Sequence, residues 1–104
     1  MKDFKHDTYA MTVQVVDWIK PMIPDAERDS MNTAIKMADE VSELQHAIYT
    51  KGKNVGEELA DVMILLLDIA YLHKVDIAAE FASKMEINQN RRWKERNGSL
   101  THKE

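Results

Sequence analysis

Residues 36–61, KMADEVSELQHAIYTKGKNVGEELAD, decide how this chain folds. Two acidic pairs stand in it, Glu40/Glu43 and Glu58/Asp61. Each has i, i+3 spacing, so on a helix both carboxylates of a pair share one face. Between the pairs lies a turn signal, Lys51-Gly52-Lys53-Asn54. Two helices folded back at that turn bring four carboxylates towards one point. Like charge at that density is unfavourable unless a cation compensates it. Hard divalent ions such as Mg2+ prefer oxygen ligands of this kind.

Upstream, apolar residues recur with helical period. Met31, Ile35, Ala38, Val41, Leu44 and Ile48 form the core stripe of a helix expected over residues 26–50. Lys36, Glu40 and Glu43 follow the same period on an adjacent strip, so the acids border the core. Asp25 or Ser30 is the expected cap. A first helix is expected over residues 3–20, with Tyr9, Val13 and Val16 on one stripe and Met11, Val15 and Trp18 on a second. Pro21 and Pro24 end it.

Downstream, Asn54 and Glu57 have capping-box spacing, which gives Glu57 a structural role and leaves Glu58 and Asp61 for chemistry. The run Val62–Leu67 and then Ile69–Leu72 barely shows a polar face. It is too short to cross a bilayer, which needs roughly 20 apolar residues. In a small domain such a helix is expected to bury one side within the subunit and another against a second copy, giving at least a dimer. Asp76 caps an expected fourth helix over 77–95, on which Lys84, Asn88 and Arg91 share a face. The fold expected is all-α: a four-helix bundle in one domain, residues 1–95, completed by subunit association. Residues 96–104 lack periodicity and are expected to be a mobile tail.

The composition agrees. A chain of 104 residues, 44% hydrophobic and 31% charged, is that of one soluble domain, and 3 Gly with 2 Pro leave little material for hairpins. The absence of Cys excludes disulfides and thiolate metal sites and fits a reducing, cytoplasmic setting. The N-terminus MKDFKHDTY has no apolar signal segment. Residues 1–83 carry a net −7 and residues 84–104 a net +3. The acidic total argues against nucleic acid as a partner. A basic end beside an acidic middle suits a metal-bound phosphate, although cations also favour any helix C-terminus.

Each constellation has a plainer reading. Either acidic pair alone is commonly a solvated face; the two together, flanking a turn and bordering core, are more informative. Lys84, Asn88 and Arg91 offer donors for phosphate oxygens, or an ordinary polar face. Trp18 is as well suited to core packing as to stacking on a base. Asp68, seven residues after Asp61, is better suited to a buried structural role than to the site. Glu43-Leu44-Gln45-His46 is a Glu-x-x-His step, but a di-iron bundle needs two and the chain has one. A helical adaptor with merely solvated acids is the non-catalytic alternative.

Asp39-Glu40-Val41-Ser42-Glu43, fourteen residues, then Glu58-Leu59-Ala60-Asp61 resembles the EExxE…ExxD signature of MazG-like nucleotide pyrophosphohydrolases. Lys84-x-x-x-Asn88-x-x-Arg91 is similar to that superfamily's KxxxNxxR segment. The resemblance covers about residues 30 to 93. Asp39 stands where the family usually has Glu; metal binding falls on the second and third acids, here Glu40 and Glu43. The resemblance implies an all-helical, dimeric or tetrameric enzyme that cleaves nucleoside triphosphates between the α and β phosphorus atoms, releasing monophosphate and pyrophosphate. Glu40, Glu43, Glu58 and Asp61 then hold Mg2+, with Mn2+ as the alternative ion. Glu40 or Glu43 assists the attacking water. Lys84, Asn88 and Arg91 orient the phosphates, with Lys53 and Arg92 as weaker candidates.

Overall fold

The Asp7 side chain accepts the backbone N–H of Ala10 and starts the first helix, α1, at Thr8–Ile19. The structure, a computed structural model, describes residues 7–102; the part of the expected first helix before Asp7 lies outside them. Helix α2 is Ser30–Tyr49, α3 Val55–Leu72 and α4 Ile77–Gln89, followed by strands β1, Trp93–Arg96, and β2, Ser99–His102.

Helix α2 begins four residues later than its periodicity suggests. Asp25–Glu27 form a separate 3-10 turn, and Arg28 is extended. Asp29, rather than Asp25 or Ser30, caps α2 by accepting the Met31 N–H at 3.0 Å. The connector is held to α3 by three polar pairs. Arg28 forms an ion pair with Asp68, the Tyr71 hydroxyl donates to Asp25, and His73 Nε2 lies 2.8 Å from Ser30 Oγ. These contacts outweigh the helical preference of residues 26–29, a tertiary effect that local propensity does not record.

At the other end of α2 the Gly52 N–H bonds the Ala47 carbonyl at 2.9 Å, while Lys51 takes the left-handed conformation, φ 54°. This is a Schellman-type stop. It turns the chain back, and α3 packs antiparallel along α2 and also against α1. Val15, Val16, Ala47, Leu67 and Ala70 are the buried apolar residues of the described chain. Helix α3 is the central element, apolar almost all round because α1 and α2 both lean on it.

The uncovered apolar surface lies elsewhere than expected. On α2, Met31, Ile35, Ala38, Val41 and Ile48, assigned above to the core, are exposed, and so are Phe81, Met85 and Ile87 on α4. Helix α4, capped by Asp76 as expected, has no buried residue and stands apart from the three-helix body. The radius of gyration is 16.2 Å, against about 13 Å for a compact chain of this length.

Residues 90–102 correct the expected end of the helical region. Helix α4 stops at Gln89, where the Asn90 side-chain amide donates to the Glu86 carbonyl. Trp93 then donates through Nε1 to the Asn88 carbonyl at 2.6 Å. Strands β1 and β2 pair antiparallel, Arg96 facing Ser99 and Trp93 facing His102. The turn residues Asn97 and Gly98 have φ of 51° and 78°, the conformation that makes Asn-Gly the favoured two-residue hairpin turn. The reading by composition passed over that dipeptide.

Candidate active site

Glu40 and Glu43 project from α2 and Glu58 from the first turn of α3, and the antiparallel hairpin brings them together. One carboxylate oxygen from each lies within 4.8 Å of the others. Glu43 and Glu58 also line a cleft of about 710 Å³ with Asp39, Ser42, His46 and Asn54. Asp61, the fourth expected ligand, is exposed and outside this three-carboxylate group.

The electrostatics of the group are strained. The charge of Glu40, and after it that of Glu58, pushes the Glu43 carboxyl pKa up. Glu40 is partly relieved by Lys36 one turn before it, Nζ to Oε1 3.3 Å. Its side chain is only 14% exposed, and its Oε2, like Oε2 of Glu58, is buried without a hydrogen-bond partner. Unpartnered buried carboxylate oxygens are costly. A divalent cation is the partner their charge and geometry fit.

Asn54 was expected to cap α3 with its side chain, and it does not. Its amide donates instead to Glu58 Oε1 at 3.2 Å, steering that carboxylate. The i, i+4 spacing of Asn54 and Glu58 was the signal, and the capping-box pattern obscured it. Gly52 leaves room for this arrangement: a Cβ there would stand 2.8 Å from Asn54 Oδ1. Gly52→Ala is therefore expected to displace the Asn54 side chain and loosen Glu58. Mn2+ affinity, measured by calorimetric titration, should fall about tenfold, the effect typical of losing a residue that orients a ligand.

The phosphate-facing candidates sit apart. Lys84, Asn88 and Arg91 do not line the carboxylate cleft. Lys84 and Arg91 are exposed, while Asn88 is half-buried with an unpartnered Oδ1 beside the Trp93 anchor. Arg91 lies just past the end of α4 and lines a shallow cavity with Ser83 and Ile87. Lys53 and Arg92 are exposed. His46 borders the acidic cleft without joining the three carboxylates. Among the described residues no helix is long and apolar enough to cross a membrane.

An antiparallel helix pair presenting three convergent carboxylates defines an all-α protein with a cation-type acidic cleft. No protein-family model matches the chain. It is 34% identical over 93 residues to a dATP/dGTP diphosphohydrolase of cyanophage S-2L, covering 88% of this chain and 84% of that protein. It is 42% identical over 76 residues to a dATP/dGTP diphosphohydrolase of Salmonella phage PMBT28, covering 73% of this chain but 24% of that longer protein. A solved structure of a cyanophage S-2L MazG-like pyrophosphohydrolase, bound to dGDP and three catalytic Mn2+ ions per active site, matches with a TM-score of 0.81. That match is 28% identical and covers 98% of both chains. The chain belongs to the MazG-like pyrophosphohydrolase family.

Proposed function

We propose that the chain hydrolyses purine deoxynucleoside triphosphates at the α–β anhydride bond, releasing monophosphate and pyrophosphate. The observation that carries this reading is the convergence of Glu40, Glu43 and Glu58 with two oxygens that lack partners. The names of the phage relatives support the purine preference. Glu40, Glu43 and Glu58 would hold the divalent ion, Mg2+ or Mn2+, with Asp61 as the proposed fourth ligand. Bound there, the ion supplies Lewis-acid stabilisation of charge on the triphosphate oxygens.

The chain's own residues carry the remaining work. Glu43, whose proton affinity its neighbours raise, and Glu40 are placed to orient a water and accept its proton as it attacks. Lys36 exchanges its contact with Glu40 for the substrate's negative charge. Lys84, Asn88 and Arg91 bind the phosphate chain, the two cations favouring departure of pyrophosphate. Helix α4 stands off the cleft within one chain, so these residues meet the triphosphate in a homo-oligomer, a dimer or tetramer, that packs α4.

Product analysis tests the reaction. With Mg2+ or Mn2+, dATP and dGTP are expected to give monophosphate and pyrophosphate, at least tenfold faster than dCTP or dTTP, and chelator should abolish turnover. Diphosphate and orthophosphate as products would overturn the assignment of the bond.

A further inference from the structure

A second cleft, of about 420 Å³, lies beyond the carboxylates and is not used by the chemistry above. One wall is apolar, formed by Trp18, Ile19, Met22, Ile23 and Leu65, and the facing side is polar, with Glu27, Arg28, Asp29, Asn32, Thr33 and Lys36. Asp68 also lines it. This carboxylate is 1% exposed, an unusual state for an acid. One oxygen is paired with Arg28; the other, Oδ1, is buried and has no partner. Lys36 lines the same cleft and also reaches Glu40, so one side chain runs from this cleft to the carboxylate group. The Ser30–His73 contact sets the antiparallel register and brings Lys36 to about the level of Asp68. Asp68 lies ten residues along α3 from Glu58, about 15 Å at 1.5 Å per residue, a span that a purine nucleotide with its phosphates at the carboxylates would bridge.

We infer that Asp68 is the base-reading residue: its Oδ1 accepts a hydrogen bond from an exocyclic amino group of a purine held in this cleft, N6 of adenine or, with the ring turned to present its other edge, N2 of guanine. Arg28 already balances the carboxylate charge, so the open position calls for a neutral N–H donor rather than a cation. A base lacking the amino group leaves Oδ1 unpartnered, and a buried polar group left unpaired is what makes such sites discriminate. The apolar wall holds the ring, with Trp18, 61% exposed, at the side. This inference rests on the nucleotide reading of the carboxylate cleft.

The test compares dATP and dGTP with the triphosphate of unsubstituted purine deoxyriboside, by hydrolysis and by calorimetric binding of the corresponding monophosphates with Mg2+. The wild-type protein is expected to favour the amino-bearing bases by 10- to 100-fold in kcat/KM and in affinity. Asp68→Asn should erase most of that difference, lowering kcat/KM and affinity more for the amino-bearing bases than for the amine-free one. Equal treatment of amino-bearing and amine-free purines by the wild-type protein would overturn the inference without requiring any variant to fold. An equal loss on all substrates in Asp68→Asn would also overturn it, since a purely structural acid behaves so. Preferential binding of amino-bearing monophosphates without hydrolysis would uphold the base site and sink the pyrophosphohydrolase reading. Hydrolysis without base preference would do the reverse.

Discussion

Glu58→Gln is expected to remove nearly all hydrolysis while making the metal-free protein more stable. Glu58 is the α3 member of the three-carboxylate group and the one steered by Asn54. Loss of one anionic ligand forfeits several kcal/mol of the charge stabilisation that a held cation gives to phosphoryl transfer. A fall of about 10³-fold in kcat/KM corresponds to about 4 kcal/mol. The stability effect runs the other way. Glu43 has its pKa raised by the charges of Glu40 and Glu58. A carboxyl whose folded pKa lies above its unfolded value favours the folded state at low pH, and that contribution is lost as pH rises through the folded pKa. The wild-type metal-free protein should therefore lose Tm as pH climbs out of the carboxylate range, and Glu58→Gln should lose less. Adding Mn2+ at neutral pH should raise Tm in the wild type and hardly in the variant. An unchanged Mn2+ shift in Glu58→Gln would remove Glu58 from the ion's ligands.

Phe81→Asp is expected to split the assembly and take activity with it. Phe81 is 66% exposed on α4, beside Met85 and Ile87, on a helix that has no buried residue and stands off the other described helices. Five buried apolar residues are a small core for a chain of 104. A radius of gyration of 16.2 Å is that of a chain with an arm extended. In the homo-oligomer proposed above, a second copy would cover these faces on every molecule at once, because a two-fold contact uses the same patch on both partners. Burying Phe contributes about 1.5–3 kcal/mol, and symmetry counts it twice. The dissociation constant should rise at least 10³-fold, about 4 kcal/mol. Light scattering should show monomer at micromolar concentration, with lowered helicity and Tm. A variant that kept its wild-type mass would remove α4 from the interface.

What could be read from residue order was whatever depends on neighbours within a turn or two. The 3- and 4-residue recurrences of α2 and α3, the i, i+3 acids and the cap at Asp76 are local, and local spacing placed four helices and directed four carboxylates towards one turn, of which the structure gathers Glu40, Glu43 and Glu58 but not Asp61. The Asn97-Gly98 hairpin was equally local, and its signature stood in the chain unread. Where the reading went astray, the deciding partner was remote in sequence. Arg28 is drawn out of helix α2 by Asp68, forty residues away. Asn54 is the exception, since its chosen partner Glu58 is only one turn away and the competing capping pattern was equally local. The α2 stripe from Met31 to Ile48 was expected to be core, yet Met31, Ile35, Val41 and Ile48 are exposed, because periodicity marks an apolar face without saying what covers it. Sequence alone determined the all-α class, the acid pairs and the family likeness, because period and charge spacing are properties of single helices. Tertiary structure decided that α3 is central, that α4 stands free, and that Asp68 closes a second cleft with one oxygen unspent. Those outcomes follow from which surfaces meet, and desolvation and pairing energies between distant segments settle that.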